Sequence, residues 1–124
     1  MKLFLYVCSF ILLISSSNCK TRNSLPDPLE AGWNNKSVCV IKEENKDVRV
    51  LQCTFEPGTG HEKHYHNAHY GYTISGSKFQ IKDETGIRVL DVKSGSDFYS
   101  LGVEWHEVLN IGDSTAVFLI IEPK

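Results

Sequence analysis

Gly58-Thr59-Gly60-His61-Glu62-Lys63-His64-Tyr65-His66-Asn67-Ala68-His69 gathers four of the chain's five histidines into nine positions, with His64 and His66 at i and i+2. In an extended strand alternate side chains leave the same face, so these two imidazoles point together at whatever that face encloses. The fifth histidine, His106, lies forty positions after His66 in Trp105-His106-Glu107-Val108-Leu109-Asn110, a second strand-like run. A barrel would return it to the first pair. Neutral imidazole is the commonest nitrogen ligand of first-row transition metals, and histidines converging in an apolar cavity supply it. His61 falls out of step with the alternating pair and reads as a surface or hydrogen-bonded core residue rather than a ligand.

Outward from this stretch the chain is a succession of short runs rich in Val, Ile, Phe, Tyr and Thr, broken by Gly, Asn, Asp and Pro. Strands are expected at 37–42, 48–56, 62–66, 70–75, 78–83, 87–92, 97–101, 105–110 and 115–122, and no stretch carries a convincing amphipathic helix. Asp83-Glu84-Thr85-Gly86, Lys93-Ser94-Gly95-Ser96 and Asn110-Ile111-Gly112-Asp113 supply the turns. The fold class is therefore all-β, a sandwich or barrel. The last run, Ala116 to Ile121, is apolar without interruption and is expected to be covered on both faces, by a second sheet or by a partner subunit.

The N-terminus reads differently. Lys2 precedes an apolar run from Leu3 to Ile14 that is too short to span a bilayer, and Ser15 to Ser17 follow, the pattern of an export signal over residues 1–19. Cys19 sits where a lipoprotein cysteine would be acylated, although Asn18 and Ser16 depart from the usual residues before such a site. Ordinary cleavage nearby is the equal alternative, and the protein is exported in either case, anchored to a membrane through Cys19 or free in the periplasm or medium. Residues 20–33, with Pro26-Asp27-Pro28, read as a tether, and residues 34–124 as one small domain. Cys39 and Cys53 lie in facing runs of a hairpin, where pairing Ile41 with Leu51 sets them opposite each other. They form either a cross-strand disulfide or two buried thiols. With 13 basic and 15 acidic side chains the net charge is −2, which gives no reason to expect nucleic acid as a partner.

Two motifs make the chain resemble the cupin superfamily. Gly58, His64, His66 and Gly76 fit the first family motif, Gly-x5-His-x-His-x3–4-Glu-x6-Gly, and Gly95, His106 and Asn110 fit the second, with Leu101 and Val103 in place of its Pro and Gly. The resemblance spans Gly58 to Asn110 and implies a single cupin-type β-barrel, a double-stranded β-helix or jelly roll. Counted back from Gly76, the family's carboxylate position holds His69, while counted forward from His66 it falls on Tyr70 or Gly71; the count from Gly76 is taken because it stays within one strand. The implied metal site is then His64, His66, His69 and His106, with Gly71 and Thr73 sharing the inward face of the His69 strand and leaving room for a ligand. Glu62 is the reserve carboxylate at the cavity mouth. An all-nitrogen set suits Fe, Ni, Cu or Zn better than Mg or Ca. The resemblance further implies a small-molecule substrate, oxygenase chemistry with a redox metal or Lewis-acid chemistry with zinc, and a homodimer. The alternative from a different class is an exported small-molecule-binding protein without turnover, since some cupins have lost their metal. Phe55, Phe79, Phe98 and Phe118 are the candidates for lining the cavity.

Overall fold

The computed structural model describes residues 24–124, so the expected signal and Cys19 lie outside the described residues. Eleven strands follow one another: β1 (Gly32–Trp33), β2 (Lys36–Ser37), β3 (Cys39–Glu44), β4 (Val48–Phe55), β5 (Gly60–His66), β6 (His69–Ser75), β7 (Lys78–Asp83), β8 (Gly86–Asp91), β9 (Asp97–Ser100), β10 (Val103–Asn110) and β11 (Ala116–Pro123). No helix occurs among the described residues. All nine expected strands are present to within two residues or so at their ends.

Two antiparallel sheets pack face to face, one of order β3-β4-β11-β6-β9 and one of order β5-β10-β7-β8, with β1-β2 as a separate hairpin. This is a jelly roll whose two sheets are not hydrogen-bonded into a closed barrel. Strand alternation is plain in β6, where His69, Gly71 and Thr73 are buried and Tyr70, Tyr72 and Ile74 exposed. Between the sheets Leu51, Phe55, Phe79, Ala116 and Ile120 form the core. Phe55, Phe79 and Phe118 meet edge to face with ring centroids 5.4 to 5.8 Å apart, a geometry aromatic quadrupoles favour. β11 is central in its sheet, but only its inward residues are well covered; Val117, Leu119 and Ile121 stay half-buried on the outer face. Cys39 pairs directly with Cys53 across β3 and β4, and a disulfide joins them.

The segment 20–33 differs from a tether in its described part. Tyr65 donates its backbone N–H to the Pro26 carbonyl, Pro28 is buried, and β1 and β2 form a hairpin through Asn34 and Asn35, both at positive φ. The segment is held there by an ion network: Arg49 donates from Nη1 to Asp27 at 2.8 Å and from Nε to Glu122 at 2.6 Å. All three side chains are more than four-fifths buried, and a buried charge is tolerated only when paired. Composition alone hid this, because Pro-rich segments with few apolar residues serve equally as straps anchored by charge.

Removing the shared cation strands two carboxylates. Arg49→Ala is expected to lower the unfolding free energy by about 3 kcal/mol in urea titrations, and to expose the segment before β3 to proteolysis ahead of the rest of the chain. An unchanged urea midpoint would show that the network is not what holds the segment.

Candidate metal centre

β5 and β10 pair antiparallel, with His64 directly opposite His106. On one side of that pair β10 carries an extra residue, between Val103 and His106, and on the other β5 carries one, between His61 and His64. A bulge re-aims the side chains beside it, and such irregularities gather at functional sites. Here they turn His66, His64 and His106 inward together. His64 Nε2 lies 3.0 Å from Nε2 of His66 and 3.0 Å from Nε2 of His106. These are the three residues whose ligand atoms form one group within 4.8 Å.

The tautomers follow from the second ring nitrogens. His64 Nδ1 lies 2.6 Å from the Glu62 carbonyl oxygen, which can only accept, so Nδ1 carries the proton and Nε2 the lone pair. His64 Nε2 therefore offers one lone pair to two neighbouring nitrogens, and only one of them can donate to it along the ideal direction. His66 Nδ1 is buried with no partner among the described residues. A divalent ion relieves this crowding by accepting from all three nitrogens at once. Nitrogens roughly 3 Å apart are the spacing expected of neighbouring ligands bonded at about 2.1 Å to one ion. The donor set thus fits a first-row transition metal, with a backbone carbonyl orienting His64 from behind.

Burial keeps the imidazoles neutral. It is the largest cause holding His106 down at about 3, followed by the charge His64 would carry, and it likewise lowers His64 and, furthest of all, His66. Neutral histidine is the ligating form.

Other expected residues fall elsewhere. His69 is buried and its ring lies 4.5 Å from that of His66, but it is outside the three-nitrogen group. It projects from the opposite sheet, and its Nδ1 donates to the Asn67 carbonyl at 2.7 Å. Glu62 is not at the cavity mouth: it is exposed and accepts from the Asn34 N–H, because the β5 bulge turns it away. Gly71 leaves no room for a ligand, since the Phe98 ring lies where its Cβ would be, and Thr73 is fully buried against the Ser96 hydroxyl at 3.2 Å.

His61, expected as a surface or hydrogen-bonded core residue, is the latter: it is 3% exposed, stacked on His64 at 3.9 Å between ring centroids, and bonded through Nε2 to the Ala31 carbonyl. The bulge after it reverses its parity, and strict alternation carries no sign of that. Nothing in the sequence pattern marks Arg88 either. It lies on β8 and lines the same cavity, an apolar space of about 400 Å³ walled by Phe55, Phe79, Phe98 and Phe118 with Leu90, Val103 and Val108. Ser100 adds a hydroxyl to the lining.

Solved structures share this architecture. A cupin domain from Bordetella pertussis Tohama I is 22% identical and superposes with a TM-score of 0.66, over 70% of this chain and 92% of that one. The fold is that of a cupin domain. An uncharacterized conserved protein with a double-stranded β-helix domain from Klebsiella pneumoniae is 19% identical at a TM-score of 0.57, over 71% of this chain and 72% of that one. The polyketide cyclase RemF from Streptomyces resistomycificus is 20% identical at a TM-score of 0.52, over 64% of this chain and 56% of that one. No protein-family model matches the chain, and no curated protein matches it. At these identities the likeness speaks for the fold, and the site must be argued from its own atoms.

Acid should loosen the metal-free chain before the stabilised carboxylates Asp27 and Asp83 are protonated. His61 and His106 both sit at about 3 against an ordinary 6.5, so the unfolded chain takes up protons first as pH falls. The stability present above pH 6.5 is lost progressively toward pH 3. Asp83, held at about 2 by its bonds to Arg88 and Thr85, and Asp27, also lowered, contribute losses only below their ordinary 3.8. Urea midpoints of the chelator-treated chain are expected to fall steadily from pH 6.5 to pH 4.5; a flat midpoint there would contradict buried neutral imidazoles.

Proposed function

We propose that this chain is a small single-domain member of the cupin superfamily that binds Fe, Ni, Cu or Zn through His64, His66 and His106 and acts on a small molecule as a metal-dependent enzyme. The convergence of the three Nε2 atoms carries the reading. A redox metal there would supply dioxygenase-like chemistry, and zinc would supply a Lewis acid. The chain's own residues do the rest. The phenylalanine walls hold an apolar substrate body, the bulged pairing of β5 with β10 fixes the imidazoles, and the Asn67 carbonyl orients the His69 ring through Nδ1 inside the cavity.

A second reading is an exported small-molecule-binding protein without turnover. It is favoured by the absence of any carboxylate from the cavity lining among the described residues. Export belongs to both readings and is supported by the Cys39–Cys53 disulfide, a bond that persists in oxidising compartments. Acylation at Cys19 would add membrane anchorage. A homodimer is supported by the exposed outer face of β6 and β9, where Tyr70, Tyr72, Ile74 and Tyr99 adjoin the half-buried outer side of β11.

Elemental analysis of protein purified without metal resins or chelators is expected to give about one transition metal per chain, with a dimeric mass by light scattering. His64→Ala and His106→Ala are expected to lose the metal while keeping a β-rich circular dichroism spectrum, and His69→Ala to retain it. A folded wild-type chain that takes up no metal on addition would overturn the enzyme reading and leave the binding one; loss of metal with His69→Ala would restore a four-histidine site.

A further inference from the structure

Arg88 is the only charged side chain lining the cavity among the described residues. Its neighbours Ile87 and Val89 on β8 turn outward, while Arg88 and Leu90 face the space shared with the histidines. Nη1 is tied to Asp83 Oδ2 across the β7–β8 hairpin, and Asp83 is itself held through Oδ1 by the Thr85 N–H and hydroxyl. The hairpin thereby ties the guanidinium at Nη1 and leaves its other N–H groups without a protein acceptor among the described residues. Arg88 is about half exposed, as are Leu90 and Phe98, so the three mark the open side of the cavity.

We propose that Arg88 recognises the carboxylate of a small amphipathic acid whose aromatic or branched aliphatic body fills the phenylalanine-walled cavity. This rests on the reading of the cavity as a substrate site. Three lines converge on it. A planar guanidinium with one edge already fixed presents donors in the geometry a carboxylate accepts. Three neutral imidazoles leave a divalent ion its full charge, and Asp83 only offsets that of Arg88, so an anionic ligand brings the site closest to neutrality. The remaining lining is overwhelmingly apolar, which rewards a hydrophobic body and penalises a small hydrated anion. Arg88 is in this account a specificity-determining residue that touches the ligand.

The test is calorimetric titration of the full chain, zinc-loaded and chelator-treated, with 3-phenylpropionate, its alcohol 3-phenylpropan-1-ol, and acetate. Wild type is expected to bind the aromatic acid at least about tenfold more tightly than the alcohol or acetate. Arg88→Gln should bring the acid down to the alcohol's affinity without changing zinc content or the far-ultraviolet spectrum, and Arg88→Lys should recover part of the difference. Equal binding of acid and alcohol by wild type, an unaltered acid affinity in Arg88→Gln, or no binding of the acid at all would each overturn the proposal. Zinc content is read separately. A chain that holds no zinc but still prefers the acid through Arg88 would refute the metal centre and sustain this inference, and a zinc-binding chain indifferent to Arg88 would do the reverse.

Discussion

The pairing of β5 with β10 through one bulge on each strand is the constraint on which the site depends. A regular ladder would alternate residues strictly and would send His61 outward on the parity of His64 and His66. The extra residue in β5 brings His61 back under His64, and the one in β10 lets Val103 and His106 both face inward. The result is a cluster of imidazoles placed between two sheets that exclude water. Desolvation then does two things at once: it keeps the rings neutral, and it makes an unshared lone pair costly. A metal ion answers both conditions.

The same economy governs the rest of the molecule. The strap before β3 buries Pro28 and Ala31 and packs Leu29 against the core, and Arg49 ties it between Asp27 and Glu122. That strap also supplies Ala31, whose carbonyl fixes His61. The disulfide across β3 and β4 adds a covalent tie at the far edge of the larger sheet. In a domain this small, such ties supplement a modest core. At the open side of the cavity the β7–β8 hairpin performs the corresponding task for Arg88.

Much of this was legible in the sequence, for identifiable reasons. Period-two patterning located nine strands, and the cross-strand partnership of Cys39 with Cys53 followed from the spacing of Ile41 and Leu51. The meeting of His64, His66 and His106 followed from parity and from the intervals shared with cupins. What escaped was set by pairing between distant strands. No local pattern marks the bulges, so strand parity puts Glu62 on the wrong face and leaves His61 open between surface and core. A motif count places His69 on an inward face, as found, and carries no information on which sheet its ring projects from. The Asn34-Asn35 turn was a readable signal, since Asn tolerates positive φ, but two-residue strands offer no periodicity to support it. Arg88 was hidden because a charge on a strand ordinarily marks the solvent face.

The central claim is that three histidine nitrogens, oriented before any ion arrives, form one binding site. X-ray absorption at the metal edge of the zinc-loaded full chain tests it most directly. The account predicts a first shell containing three imidazole nitrogens, with their multiple-scattering signature, and loss of one in His106→Ala. A shell of oxygen or sulfur ligands, or one left unchanged by that substitution, would contradict it.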